Sequence, residues 1–202
     1  MQLRRVGERA LLVECSDLAE VTATYAALHQ LRRDLRATEI VPAARTVLLD
    51  GLADVAATRA LLDDLAAPPG VDDGSRAAVV EIPVIYDGPD LGEVARQWAV
   101  SESEVVQIHQ STTFVVAFCG FAPGFAYCAG LPPDRTVRRR SEPRPRVPAG
   151  SVALAGEFSA VYPTPSPGGW QLIGSTRTRV WRPDHDRPAL LEPGTRVTFV
   201  DG

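Results

Sequence analysis

Three turn-rich segments hold the residues best suited to chemistry. The first, Gly120-Phe121-Ala122-Pro123-Gly124-Phe125-Ala126-Tyr127, sets two phenylalanines and a tyrosine on a glycine and proline loop. Glycine frees a backbone and proline fixes it, so this is a rigid, aromatic turn. It can wall a pocket, present a partner surface, or form a barrel corner packed by its own rings. The second segment runs from Arg135 to Ser151 and carries six arginines against one glutamate, a local charge of +5. Guanidinium forks bind carboxylates and phosphates bidentately. Arg138 to Arg140 read as a solvated run as readily as a site, whereas Arg144 and Arg146, spaced by Pro145, suit an anion clamp. Gly150 and Ser151 can add backbone N–H groups and a hydroxyl. The third segment, Tyr162 to Gly174, contains Ser166-Pro167-Gly168-Gly169-Trp170, which is either a pocket rim or a tight hairpin.

His109 is the one histidine placed near these segments, on a helix that leads into the first of them. It is a candidate general base or substrate ligand, with a structural role as the alternative. His29, His109 and His185 are scattered without ligand spacing, so no metal site is expected. Cys119 and Cys128 flank the first loop and read as small buried hydrophobes or as nucleophiles.

Elements must position these residues, and periodicity supplies them. Leu3 to Val6 and Ala10 to Glu14 are short strand candidates, split by a Gly7-Glu8 turn. Asp17 caps a helix reaching about Leu35, with Leu18, Val21, Tyr25, Leu28 and Leu31 on one face. A strand at Val47 to Leu49 and a helix from Val55 to Leu65 complete a small α+β domain, residues 1–66. Residues 67–77, rich in Pro, Gly and Asp, read as a linker. In residues 78–202 a strand, Ala78 to Tyr86, precedes a helix from Asp90 to Trp98. Ser101 and Glu104 then form a capping-box pattern ahead of the His109 helix. Beyond the strand Thr112 to Cys119, helical periodicity vanishes. Short strands at Val152 to Leu154, Trp170 to Ile173 and Arg196 to Val200, between Pro- and Gly-rich turns, suggest a barrel or sandwich.

Composition removes several function classes. All 21 basic residues are arginine, so a Walker A lysine, a Schiff base and an attached biotin are impossible within this chain. A net charge of −4 argues against nucleic acid as main partner. No apolar run is long enough to span a membrane, and Met1 to Arg5 leads into no signal-peptide pattern, so a cytoplasmic location is expected.

The three segments together resemble a family. Gly120-Phe121-Ala122-Pro123-Gly124-Phe125, Pro143-Arg144-Pro145-Arg146-Val147-Pro148-Ala149-Gly150-Ser151-Val152 and Ser166-Pro167-Gly168-Gly169-Trp170-Gln171-Leu172-Ile173-Gly174 are similar, in order and spacing, to a known signature. It is that of the family formed by the 5-oxoprolinase B subunit (PxpB), KipI and allophanate hydrolase subunit 1. The resemblance implies an α+β fold: a ferredoxin-like domain followed by a cyclophilin-like β-barrel. It implies a homologous partner, the 5-oxoprolinase C subunit or allophanate hydrolase subunit 2, and a third protein, the LamB/YcsF-like A subunit. The set opens 5-oxoproline to glutamate with ATP, which enters at the level of the complex. Carboxyl transfer, as in urea carboxylase, and inhibition of a sensor histidine kinase, as for KipI, are the alternatives within the family. On this reading His109, Arg146 and Ser151 would be catalytic. Arg144, Gly150, Phe121, Pro123, Gly124, Phe125, Ser166, Gly168, Gly169 and Trp170 would bind a small anionic amide.

Overall fold

Alternation decides the first unit. In the computed structural model of the chain, which describes residues 2–64 and 79–202, Leu11, Val13, Val47 and Leu49 are fully buried while their strand neighbours are half-exposed. Period-2 burial of this kind makes a sheet with one covered face. The chain divides into two compact units, Met1–Arg76 and Ala77–Gly202. In the first, β1 (Gln2–Arg5), β2 (Leu11–Glu14), β3 (Glu39–Pro42) and β4 (Thr46–Asp50) form an antiparallel sheet in the order β1-β2-β4-β3. α1 (Leu18–Gln30) and α3 (Val55–Asp64) follow β2 and β4. This is the ferredoxin-like β-α-β-β-α run, with β1 lying beside β2 at the edge where that fold places its last strand.

The Asp17 carboxylate accepts from the Glu20 N–H at 2.8 Å, as a helix cap should. The expected single helix to Leu35 is two: Leu31 closes α1, and a short α2 (Arg32–Leu35) ends in left-handed Arg36, φ 48°. The expected linker, residues 67–77, and Leu65 lie outside the described residues.

The second unit contains β5 (Val79–Val84), α4 (Leu91–Trp98), α5 (Glu102–Ser111), β6 (Phe114–Cys119), β7 (Ala126–Ala129), β8 (Arg144–Val147), β9 (Ser151–Ala155), β10 (Phe158–Val161), β11 (Ser166–Gly168), β12 (Gln171–Ser175) and β13 (Arg196–Asp201). Seven strands pair in the order β12-β9-β10-β7-β6-β13-β5. Ile85, just past β5, exchanges backbone hydrogen bonds with Ser175 at the end of β12, which nearly closes the sheet into a barrel. Ile82, Phe114, Cys128, Leu154, Ile173 and Phe199 fill the core, covered by Leu91, Val94 and Trp98 of α4 and Val105 of α5. The Ser101–Glu104 capping box forms at the start of α5. β8 and β11 pair separately as a ribbon. A second cluster joins Phe125, Val147, Tyr162, Trp170 and Leu172. The mixed α+β class and the barrel implied by the resemblance are both present.

Candidate functional site

Gly88 lets the loop before α4 lie flat on β12: a Cβ there would meet backbone atoms of Leu172 and Ile173 at 2.3 Å. The loop is fastened by the Asp90 N–H donating to the Leu172 carbonyl at 2.9 Å. Asp90 is thereby buried beside the arginine segment. Its carboxylate accepts two bonds from the Arg144 fork, at 2.8 and 2.9 Å, one from Arg140 at 3.1 Å, and one from the Leu172 N–H at 2.8 Å. Burial alone would raise its pKa, but these donors and both guanidinium charges hold it below the usual carboxylate value. Arg144, expected to clamp a ligand anion, has its fork engaged by this internal carboxylate instead. A cleft of about 840 Å³ surrounds the cluster. Arg96, Arg138, Arg139 and Arg140 line it, and so do Asp87, Asp90, Glu93 and Glu102, so its charges balance.

His109 sits inside the barrel. α5 turns it into the barrel core with no exposed surface. Nδ1 lies 2.8 Å from the Tyr86 hydroxyl and Nε2 lies 2.8 Å from Ser159 Oγ. Phe114 and Phe199 pack on the ring at 5.1 and 4.4 Å between centroids. Burial pushes its pKa down to about 3, which keeps it neutral. A neutral imidazole offers one donor and one acceptor, and both are used. It is a satisfied core residue, sealed from any ligand arriving from solvent.

Two of the three sequence segments meet elsewhere, on a cleft of about 410 Å³. Gly150 and Ala149 enter it from the second segment, and Tyr162, Pro163 and Thr164 from the third. The first segment backs it: Gly124 packs so closely on Trp181 that a Cβ would meet the Trp181 Cβ at 2.6 Å. Phe125 is buried against Tyr162 and Trp170, with centroids 5.2 and 5.4 Å away. Phe121 is 61% exposed and held at φ 68°, a left-handed conformation that costs a bulky residue roughly 1–2 kcal/mol. Pro123 is exposed on the same turn.

The expected backbone anion donors are engaged inside the protein. The Gly150 N–H donates to the Tyr162 carbonyl at 2.8 Å and the Ser151 N–H to the Pro148 carbonyl at 3.4 Å. Ser151 is a buried β9 residue. Gly150 takes φ 80°, and a Cβ there would lie 2.3 Å from the Thr176 carbonyl oxygen. Gly150→Ala is therefore expected to lower the unfolding free energy of this unit by about 2 kcal/mol or more, read by urea titration. An unchanged midpoint would contradict that fit.

Ser166 and Gly168 lie on β11, where the Tyr162 hydroxyl would be 2.3 Å from a Gly168 Cβ. The Gly169 carbonyl accepts from the Arg140 N–H at 2.8 Å. Arg146 is exposed on β8 and lines neither cleft. His109 lies in the barrel core, Arg146 on the exposed ribbon and Ser151 within β9.

Residues 1–191 match the family described as the carboxyltransferase domain, subdomain C and D. The chain belongs to this family. A relative from Escherichia coli O157:H7, named as the B subunit of 5-oxoprolinase, is 50% identical over 124 residues, 60% of this chain and 57% of the relative. A protein of the same name from Bacillus subtilis (strain 168) is 48% identical over 125 residues, covering 60% of this chain and 52% of the relative. The chain thus spans about half the length of the curated relatives it matches. The crystal structure of TTHA0988 superposes with a TM-score of 0.79 at 34% identity, over 96% of this chain and 40% of that one.

In this carboxyltransferase-domain chain the residues that sequence reasoning missed are Thr176, Arg177, Thr178 and Arg179, which line the smaller cleft. Neither Arg177 nor Arg179 has a side-chain ion-pair or hydrogen-bond partner among the described residues, and no carboxylate lines this cleft. The signal was available in the run Thr-Arg-Thr-Arg-Val-Trp, where hydroxyls and guanidiniums alternate just after the third segment. It was hidden by the denser arginine cluster upstream.

Proposed function

We propose that this chain is the B component of an ATP-dependent 5-oxoprolinase, acting with a homologous C component and an A component. The observation that carries the reading is its 50% and 48% identity to two proteins named as the B subunit of that enzyme. The site supports it: a small cleft with two unpartnered guanidiniums and no carboxylate suits a small anionic substrate. In the reaction the lactam carbonyl oxygen takes the γ-phosphoryl group of ATP and ADP leaves. One water then attacks the carbonyl carbon and the ring C–N bond breaks to leave an acyl phosphate, which a second water hydrolyses to glutamate and phosphate. Negative charge accumulates on oxygen throughout, which fixed guanidiniums stabilise. ATP belongs to the assembled complex, and no residue of this chain is assigned to it.

The family's description favours a second reading, carboxyl transfer. With no lysine here, biotin would be attached outside this sequence. Incubating the co-purified complex with ATP and 5-oxoproline, or with ATP, bicarbonate, urea and a biotinylated carrier, separates the two. ATP consumption with 5-oxoproline alone is the expected result. Consumption only in the second mixture would replace the oxoprolinase reading by carboxyl transfer.

A further inference from the structure

The smaller cleft differs from the larger one in what its charges face. Around Asp90, carboxylates and guanidiniums share one lining, and Asp90 and Glu93 are already paired, so a ligand anion must compete with fixed ones. Around Thr176 to Trp181 the guanidiniums of Arg177 and Arg179 are exposed and face no carboxylate in the lining. Pro163, Trp181 and Pro183 supply apolar surface beside them. The volume, about 410 Å³, lies within the range of small-molecule sites.

Part of the backbone lining this cleft is already engaged. The Gly150 N–H goes to Tyr162, the Thr176 N–H to the Gly150 carbonyl at 2.8 Å, and the Thr178 N–H to Thr176 Oγ1 at 3.1 Å. Beside it stand two planar forks and an apolar wall. A fork matches the two coplanar oxygens of a carboxylate, while the wall accepts the body that carries it. We infer that this cleft is a carboxylate site, in which Arg177 and Arg179 hold the carboxylate of a small ring-bearing molecule against Trp181. The carboxylate class rests on the cleft; its assignment to 5-oxoproline rests on the function proposed above.

Ligand-observed NMR on the full chain tests it with four probes: 5-oxoproline, 2-pyrrolidinone (the same ring without the carboxylate), glutarate (the carboxylate without the ring amide) and inorganic phosphate. Binding of 5-oxoproline, with 2-pyrrolidinone and phosphate silent at the same concentration, is expected. Arg177→Ala/Arg179→Ala should weaken that binding at least about tenfold, which is about 1.4 kcal/mol. Arg177→Lys/Arg179→Lys keeps the charge but loses the forks, and should recover only part of the affinity. Because both side chains are exposed and unpartnered, the variants fold as the parent does, which near-ultraviolet circular dichroism checks. Undiminished binding by the alanine variant, equal binding of 2-pyrrolidinone, preference for phosphate, or no binding at all would overturn the carboxylate site. Arginine-dependent binding of glutarate without 5-oxoproline would keep the carboxylate site and refute the oxoprolinase assignment alone.

Discussion

Asp90→Ala is expected to destabilise the second unit by about 3–5 kcal/mol, the range for removing one partner of a buried ion pair. The residue is 4% exposed, and its carboxylate is the common acceptor for Arg140, Arg144 and the Leu172 N–H. Its loss leaves two guanidinium charges facing each other and a buried N–H without an acceptor. Urea unfolding followed by tryptophan fluorescence reads the effect, since Trp98, Trp170 and Trp181 all belong to this unit. The double variant Asp90→Ala/Arg144→Ala should lose less than the sum of the two single variants, because they share one interaction. Additive losses would show that the pair is not coupled. Acid should act in the same direction. The folded pKa of Asp90 lies below its unfolded value, so its contribution is present above about pH 4 and is lost as pH falls through the lower folded value.

The second large effect belongs to His109. The unfolded chain protonates this imidazole near pH 6.5, while the folded one holds it neutral to about 3. Between those values the unfolded state binds more protons, so stability falls with falling pH by up to about 1.4 kcal/mol per unit. From pH 7 to pH 5 the loss should reach roughly 2 kcal/mol. His109→Gln, which keeps a donor and an acceptor, should start less stable at pH 7 but lack this slope. A variant as acid-sensitive as the parent over pH 7 to 5 would place the titrating group elsewhere.

These two residues also show where sequence reading stops. The Ser101–Glu104 cap, the Asp17 cap and the apolar runs of β2 and β4 were legible because each is decided within a few residues. β3, β7, β8, β10 and β11 were not, because their short segments take their structure from the partners they pair with. The same reason governs the site. His109 meets partners 23 and 50 residues away, and Arg144 meets Asp90 across 54 residues. From the sequence, Asp90 was only the start of a helix, so the guanidiniums it engages looked free for a ligand. The opposite held for Arg177 and Arg179, whose lack of partners is visible only once the barrel places them. Phe125, Gly124 and Gly150 were recognisable as special by type, but whether each lined a pocket or packed a corner needed their neighbours. Phe125 packs a corner, whereas Gly150 does both.

The most direct measurement is the glutamate and phosphate formed from 5-oxoproline and ATP by the chain together with the A and C components proposed for it, compared with the same mixture lacking the chain. Equal amounts of glutamate and phosphate, both lost when the chain is omitted, are expected. Glutamate formation that continues undiminished without the chain, or ATP hydrolysis by the complete set without glutamate, would contradict the account.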